Sequence, residues 1–412
     1  MSTARRCLIR GTLGALVGLL ARGASADLQS RMDAVREGEV LEVAAGTYPG
    51  PLVIRNAGAK IIAKGKVIID GNGVGTVISI DAPRVTLKGF TLRNSGRSYT
   101  QVDAGVRIKN ADGAVILENT VEDCLFGIDV QGAKNILLRR NRISSKNLSI
   151  GMRGDALRLW NVKGGRVLEN EWSHSRDAVS WYSENITFAF NKGTHSRYSL
   201  HSMYSTKLRI QSNTFLHNSV GIFLMYGKEF MLVDNRIEDS QGATGMGIGM
   251  KEASDIDIHN NKILYTAIAL LFDSSPFAPG TPARVFGNTL AYNGKAISIN
   301  NDRGGSYFRG NSFSGNMTDV FMERRGGSLG KWEGNFWDNY EGFDSDHDGW
   351  GDLPHSVMRY GEDLRQQQPL TGFFQGTPLL LVISALERFL PLSAPTLILQ
   401  DKRPHLKRIE AR

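Results

Sequence analysis

The chain contains 412 residues, of which 41% are hydrophobic and 22% are charged. These fractions exclude a disordered or fibrous protein and are sufficient for a large buried core. The net charge is +8, but the first 26 residues and the last 12 carry +7 of it, so residues 27–400 carry only +1. A nearly neutral body excludes a nucleic-acid-binding protein that depends on contacts with phosphates.

An export signal is predicted at the N-terminus. Residues 1–26 combine early arginines, an apolar run from Gly11 to Leu20 and the small-residue sequence "ASA" at the end. We therefore expect the mature chain to start at Asp27, outside the cytoplasm. The apolar run is about half of the roughly 20 residues that a membrane span requires. The paired arginines resemble a twin-arginine signal, and the ordinary secretory route stays open. Cys124 is then the single cysteine of the mature chain, which excludes an intramolecular disulfide.

The segment after the signal, "DLQSRMDAVREG", predicts a short helix with Asp27 near its start and Gly38 after its end. Alternating apolar segments such as "GKVIIDGNGVGTVISI" and "RVTLKGFTLRNSG" follow and predict short strands separated by turns. A helix before the first strand would cap the exposed end of a stack of strands.

An asparagine preceded by alternating apolar residues recurs along most of the chain, as in "GRVLENEW", "LRIQSNTF" and "FMLVDNRI". Successive asparagines are 21 to 29 residues apart. A period of about 22 residues made of short strands is typical of a stacked β-solenoid. The predicted fold is all-β, a right-handed parallel β-helix over residues 27–351, with the asparagines as an internal ladder of side-chain amides. The repeated asparagines are Asn119, Asn141, Asn170, Asn191, Asn213, Asn235, Asn261, Asn288, Asn311 and Asn335.

Two columns of candidate metal ligands follow from this spacing. His174, His195 and His217 each lie four residues after an asparagine, which places them on three consecutive coils about 4.8 Å apart. They are candidate metal ligands, with hydrogen bonding at the coil corners as the alternative. A second column contains Trp160 and Tyr182, and its soft side chains would favour Cu(I), with core packing as the alternative. The candidate ligands of the second column are Met203, Met225, Met250 and, two residues before Met203, His201.

The sequence "DSDHDGWGD" near the end of the repeats has the alternating carboxylates of a calcium-binding loop. Asp344, Asp346, Asp348 and Asp352 occupy positions 1, 3, 5 and 9 of such a loop. Position 12 is His355, where an EF-hand needs a glutamate, and no helical pattern flanks the loop. The sequence therefore predicts a structural clasp, either calcium-bound or metal-free, rather than a calcium switch.

Residues 352–412 are predicted to form a C-terminal extension. Within it, "GTPLLLVISALERFLPL" predicts an apolar helix that starts near Pro378 and is too short to span a bilayer. This helix would either cap the last coil or dock against a membrane-bound partner. The final residues are polar and basic, and they predict a frayed tail near anionic lipid headgroups.

Charged residues on adjacent coils raise the alternative of a carbohydrate-active protein. These side chains would bind a sugar acid or pair with one another at a coil corner, and pairing is the interpretation we favour. The chain lacks the Asp-Pro-His-Asp motif of mannuronan epimerases and the paired aspartates of polygalacturonases, so no catalytic residue is predicted. The charged residues concerned are Arg153, Asp155, Arg158, Arg176 and Asp177.

The ordered set "RGDALRLW", "RDAVSWYS", "RYSLHSMYS", "VGIFLMYG" and "GNFWDNYEGFDSDHDGWGD" resembles the NosD family of periplasmic β-helix proteins. The resemblance covers essentially the whole mature chain. One departure is Ser202, where the family more often has a bulky aromatic residue before the methionine.

The resemblance implies a non-catalytic periplasmic protein that serves assembly of the copper–sulfide centre of nitrous oxide reductase. The implied partners are an inner-membrane ABC permease and its ATPase, a copper chaperone and the apo-reductase. The apolar C-terminal helix would be the peripheral contact with the membrane. Two functions therefore stay open from the sequence: a maturation factor that binds copper or its client, and a carbohydrate-active β-helix.

Overall fold

The computed structural model describes residues 28–300, 305–322, 330–359, 382, 386 and 396–408. The predicted signal, residues 1–26, lies outside this range, and so does the C-terminal docking helix except Val382 and Leu386, which are helical and exposed. Within the described range, no helix is long and apolar enough to cross a membrane. The chain divides into two compact units, residues 1–223 (unit 1) and residues 224–412 (unit 2).

Unit 1 is a parallel β-solenoid, as the repeat predicts. Its first three coils contain one long and one short strand each, and every later coil contains three strands. The change occurs where the asparagine repeat begins, because Asn119 sits at a corner that divides the long strand into two. The strands in chain order are β1 (Val40–Pro49), β2 (Leu52–Ile54), β3 (Lys60–Asp70), β4 (Ile78–Ile80), β5 (Thr86–Arg93), β6 (Ala104–Lys109), β7 (Val115–Leu117), β8 (Thr120–Cys124), β9 (Phe126–Gln131), β10 (Lys134–Arg139), β11 (Arg142–Ser145), β12 (Leu157–Trp160), β13 (Lys163–Leu168), β14 (Glu171–Ser173), β15 (Asp177–Trp181), β16 (Glu184–Ala189), β17 (Lys192–Thr194), β18 (Tyr198–Met203), β19 (Thr206–Gln211) and β20 (Thr214–Leu216), and β21 (Val220–Met225) spans the unit boundary.

The strands of unit 1 belong to two sheets. The short sheet contains the parallel strands β2, β4, β6, β9, β12, β15 and β18 and also β21, and the other strands form the long sheet. Along the short sheet, Leu157 and Leu159 are fully buried, whereas Arg158 and Trp160 between and after them are partly exposed. This alternation defines an inner face that builds the core and an outer face that carries the side chains of Arg158 and Trp160.

The predicted asparagine ladder is confirmed. The backbone N–H and Nδ2 of Asn119 both donate to Oδ1 of Asn141, at 3.0 and 3.1 Å, and Nδ2 also donates to the carbonyl of Leu87. The same pattern repeats from Asn141 through Asn170 and Asn191 to Asn213. Because these amides are fully buried, each satisfied corner avoids a cost of about 1–3 kcal/mol for an unpaired polar group.

The predicted N-terminal cap is also present. Residues 28–33 are helical, and Leu28 and Met32 are buried. The Gln29 side chain pairs with both backbone groups of Val53 in β2, donating at 2.8 Å and accepting at 2.9 Å. The helix therefore covers the edge strand of the short sheet, which would otherwise expose unpaired backbone groups.

Unit 2 repeats the same design and ends in an antiparallel pair. Its ladder runs from Asn235 through Asn261, Asn288 and Asn311 to Asn335. The last pair, β36 with β37, is antiparallel. The strands of unit 2 are β22 (Lys228–Val233), β23 (Arg236–Glu238), β24 (Met246–Lys251), β25 (Ser254–His259), β26 (Lys262–Leu264), β27 (Ile268–Asp273), β28 (Ala283–Phe286), β29 (Thr289–Ala291), β30 (Lys295–Ile299), β31 (Tyr307–Arg309), β32 (Ser312–Ser314), β33 (Thr318–Met322), β34 (Lys331–Glu333), β35 (Phe336–Trp337), β36 (His355–Arg359) and β37 (Thr396–Asp401).

The C-terminal strand β37 supplies the last rung of the asparagine ladder, which the sequence did not reveal. Asp401 is fully buried, and its Oδ2 accepts from the backbone N–H and the Nδ2 of Asn335, both at 2.9 Å. Its Oδ1 accepts from the backbone N–H of Gly334 at 3.0 Å. Residues 396–408, expected to be frayed, are thus held against the end coil of unit 2 at least through Asp401.

Candidate metal sites

The three histidines of the first column lie at one corner of three consecutive coils in unit 1. His174 follows β14, His195 follows β17 and His217 follows β20. Each adopts the left-handed backbone conformation, with φ of 52°, 53° and 57°, and each imidazole is exposed. A residue other than glycine rarely adopts this conformation. Its repetition shows that the corner is built in the same way on each coil.

The imidazole rings of this column stack on one another. The centroids of His174 and His195 are 5.0 Å apart with planes inclined by 3°, and those of His195 and His217 are 5.4 Å apart with planes inclined by 37°. Burial lowers the pKa of His195, and the positive charges of its two neighbours lower it further. This favours neutral imidazole, the form that binds metals. The column is present as predicted, and its metal binding stays a prediction.

The stacked rings do not form a chelating triad as they stand. Among the described residues, one group of three His, Cys, Asp or Glu side chains has its ligand atoms within 4.8 Å of one another, and that group is in the aspartate loop. Parallel rings place their nitrogen atoms side by side rather than around a common point. The column therefore offers donors in neighbouring pairs, arranged along an exposed edge.

The structure corrects the second column at two positions. Trp160 pairs with Trp181, and Trp181 pairs with Met203, so Tyr182 is not a member of the column. Tyr182 stacks instead on Tyr204, at 5.1 Å between ring centroids. The reason is an extra residue in β18 relative to β15, which shifts the count by one.

Met250 is the second residue that does not belong to this column. It is fully buried and pairs with Phe272, so it faces the core of unit 2 and not a ligand. Met225 is half-buried at the end of β21. The backbone N–H of Tyr226 donates to the carbonyl of Lys251, which places Met225 level with Lys251 and not with Met250.

His201 lies on the outer face of the short sheet, among aromatic rings. Its exposed fraction is 6%, and its Nδ1 is 3.6 Å from Oδ2 of Asp177. The rings of Trp181 and Tyr198 contact it edge-on, at centroid distances of 5.8 and 4.9 Å. Met203 follows two residues later on the same face. The sequence singled out His201 and Met203, but it did not show that Asp177 and Trp181 adjoin them.

The buried charges of unit 1 pair between coils, as the sequence analysis favoured. Arg158 contacts Asp129 at 2.9 Å, and Arg176 contacts Asp155 at 3.0 Å. Burial raises the pKa of Asp155 to about 7, although the charge of Arg176 opposes this. Arg197 contacts Asp177 at 2.5 Å. Arg153, the remaining arginine of this set, donates from Nε to the carbonyl of Leu148 at 2.7 Å.

The aspartate loop is a clasp closed by internal hydrogen bonds. Asp344 accepts from the backbone N–H of Asp348 at 3.1 Å and of Gly349 at 3.0 Å. Asp344, Asp346 and Asp348 converge, but Asp352 instead accepts from the backbone N–H of Ser345. Asp352 therefore closes the turn and is not part of the convergent group.

The clasp also receives a positive charge from the C-terminal segment. Arg403 contacts Asp348 at 2.5 Å, and its guanidinium lies 5.1 Å from the ring centroid of Trp350. A guanidinium beside the carboxylates supplies part of the charge that a calcium ion would supply. Calcium binding by this loop stays a prediction.

Comparisons with known proteins show one family in common. A family model described as "Periplasmic copper-binding protein (NosD)" matches residues 141–342, a stretch that includes the histidine column, His201 and Met203. The probable ABC transporter binding protein NosD of Pseudomonas aeruginosa is 26% identical over 382 residues, covering 85% of this chain and 84% of the relative. The protein of the same name from Stutzerimonas stutzeri is 26% identical over 400 residues, covering 88% and 86%.

Solved structures resemble the chain in fold alone. The A-module of the mannuronan C-5 epimerase AlgE6 from Azotobacter vinelandii aligns with a TM-score of 0.55 at 14% identity, covering 74% of this chain and 92% of that one. The family 28 exopolygalacturonase of Yersinia enterocolitica aligns with a TM-score of 0.54 at 10% identity, covering 73% and 75%. Both are parallel β-helix neighbours, and identity at this level carries no activity across to this chain.

Proposed function

Because this chain belongs to the NosD family, we propose that it is a periplasmic accessory protein of an ABC transporter. In this proposal it acts in the maturation of nitrous oxide reductase, binds copper destined for the copper–sulfide centre, and catalyses no reaction of its own. Copper is the cargo of the protein rather than a resident cofactor. The relatives' names support the transporter association, and the family description supports periplasmic copper binding.

The observation that carries the copper proposal is the stacked histidine column. A carrier needs ligands that are exposed, neutral at the working pH and able to exchange their metal. His174, His195 and His217 are exposed on three successive coils, and their mutual proximity disfavours protonation of His195. Imidazole suits copper. The rigid corners hold the donors in a row along which a copper chaperone and the apo-reductase would each find access.

The C-terminal segment is the proposed contact with the inner-membrane permease and its ATPase. Arg359 at the end of β36 pairs with Thr396 at the start of β37. The segment between these two strands contains the apolar "GTPLLLVISALERFLPL", and its two ends are therefore joined to adjacent positions of the antiparallel pair. A two-stranded stem fixed by Asp401 would present this apolar segment to a membrane protein.

No observation favours the carbohydrate-active alternative. Arg158, Arg176 and Arg197 each contact an aspartate on a neighbouring coil. Removing such a partner to bind a sugar acid would leave a buried carboxylate without its counter-ion. Polysaccharide biosynthesis genes beside this gene, in place of genes for the reductase and for an ATPase and permease, would reverse this judgement.

The histidine column is tested by titrating Cu(I) into the mature protein against a competing chelator. Wild type is compared with the triple variant His174→Ala, His195→Ala, His217→Ala. The control is His259→Ala, which removes a single imidazole that stacks on Phe286 at 4.7 Å. We expect the triple variant to bind less Cu(I) and the control to match wild type. Equal stoichiometry and affinity in all three would remove the column from the copper path.

A further inference from the structure

We propose that His201 and Met203, supported by Asp177 and flanked by Trp181, form a half-buried Cu(I) site on the outer face of the short sheet. The inference rests on the proposed function, since it names where in the chain copper is held most securely. It is separate from the histidine column, which lies at a coil corner.

The carboxylate of Asp177 orients the imidazole of His201. Asp177 is 1% exposed, and its Oδ2 faces Nδ1 of His201 at 3.6 Å. A carboxylate oxygen beside Nδ1 acts as a hydrogen-bond acceptor, so its position favours the tautomer that carries the proton on Nδ1. The Nε2 lone pair is then the one that faces a metal, as in carboxylate–histidine–metal arrangements.

His201 and Met203 provide the two donor atoms of the proposed site. Met203 lies two residues after His201 in the same strand, so both side chains project from the same face. Trp181 is directly level with Met203 on the neighbouring coil, and its ring meets that of His201 at 90°. A thioether and an imidazole form a soft donor set that selects Cu(I) over harder ions, and an adjacent indole attracts a cation.

A local irregularity of the backbone brings these donors together. The pairing of β15 with β18 shifts between Asp177 and Val179, so that Val179 is level with His201 and not with Leu200. The neighbouring pair β12 with β15 has no such shift. A β-bulge of this kind re-aims the side chains that follow it, and bulges are enriched beside functional sites. Without the extra residue, His201 would be one position out of register with Arg158 and Val179.

The surroundings are compatible with a bound cation. The nearest arginines are engaged with carboxylates: Arg197 with Asp177 at 2.5 Å, and Arg158 with Asp129 at 2.9 Å. Two protein donors leave room for a third ligand from a copper chaperone or the apo-reductase, so the ion can exchange.

The test uses the mature protein and Cu(I), with Ag(I) as a redox-inert probe. Variants are Met203→Leu, which keeps the volume of the side chain, His201→Gln and Asp177→Asn. The matched control is Met317→Leu, because Met317 is 65% exposed and distant in sequence. We expect Met203→Leu and His201→Gln to weaken Cu(I) binding more than tenfold. Asp177→Asn should weaken it by about tenfold through the support that it gives to His201.

A second readout does not depend on affinity. With methyl-labelled methionine, Ag(I) should shift the Met203 methyl resonance of wild type and leave the Met317 resonance in place. If wild type binds no Cu(I) at all, the proposed copper function fails together with this site. If wild type binds Cu(I) but Met203→Leu and His201→Gln bind it equally well, this site alone is refuted and the proposed function stands.

Discussion

Replacing Asp401 is the sharpest test of how the C-terminal segment is held. In Asp401→Ala, four buried donors lose their acceptor: the backbone N–H of Gly334, the backbone N–H and Nδ2 of Asn335, and Nε1 of Trp337. At about 1–3 kcal/mol for each unsatisfied group, and with partial relaxation, the end coil of unit 2 should be destabilised on the order of 3–5 kcal/mol. Asp401→Asn keeps one carbonyl oxygen, which serves every other rung of the ladder, so its cost should be about 1 kcal/mol.

The assay for this prediction is hydrogen exchange of the amides of Gly334 and Asn335, which reports local opening even if unfolding of the whole chain is not two-state. Lys402→Ala is the control, because it changes an exposed neighbour of Asp401. We expect fast exchange in Asp401→Ala, intermediate exchange in Asp401→Asn and slow exchange in the control. Equal protection in Asp401→Ala and the control would show that the carboxylate does not hold the end coil.

Three further predictions follow from single contacts. Gly193→Ala should destabilise unit 1, because a Cβ there would clash with Oγ of Ser199 and lie 2.5 Å from Nε1 of Trp172, and thermal unfolding would show a lower Tm. Since burial raises the folded pKa of Asp155 to about 7, above an unfolded value of about 3.9, its stabilising contribution is present below pH ~4 and is lost as the pH rises through 7. The Tm of Asp155→Asn should therefore depend less on pH between about 4 and 7, and an unchanged profile would contradict the assignment. For the aspartate loop, Arg403→Ala should lower the Tm by removing the charge beside Asp348; if calcium holds the loop, excess chelator lowers the Tm of wild type as well, and an unchanged Tm leaves the metal-free clasp.

The period of the asparagines was sufficient to predict the fold. An amide that must bond to the coils on either side of it cannot shift along the chain, so its spacing marks every corner directly. The same spacing placed His174, His195 and His217 on one corner, because few residues separate them from their asparagines. The repeat therefore predicted the positions of residues that lie within a few positions of an asparagine in the sequence.

Positions farther from the ladder were predicted less well. Counting from an asparagine assumes coils of equal length, but β18 contains an extra residue and the coil that ends in Met250 is longer than its predecessor. Tyr182 and Met250 were therefore assigned to a column that they do not occupy. Asp401 was missed because it lies 66 residues from Asn335, and no local pattern links a single aspartate to a distant corner.

The central claim, that this protein serves copper loading of nitrous oxide reductase, is tested most directly on the client enzyme. The reductase is purified from a strain that lacks this gene, and from the same strain carrying either the wild-type gene or the double variant His201→Gln, Met203→Leu. We predict that the visible spectrum of the copper–sulfide centre is lost without the gene, restored by wild type and reduced with the double variant. A complete copper–sulfide spectrum in the strain without the gene would contradict the claim.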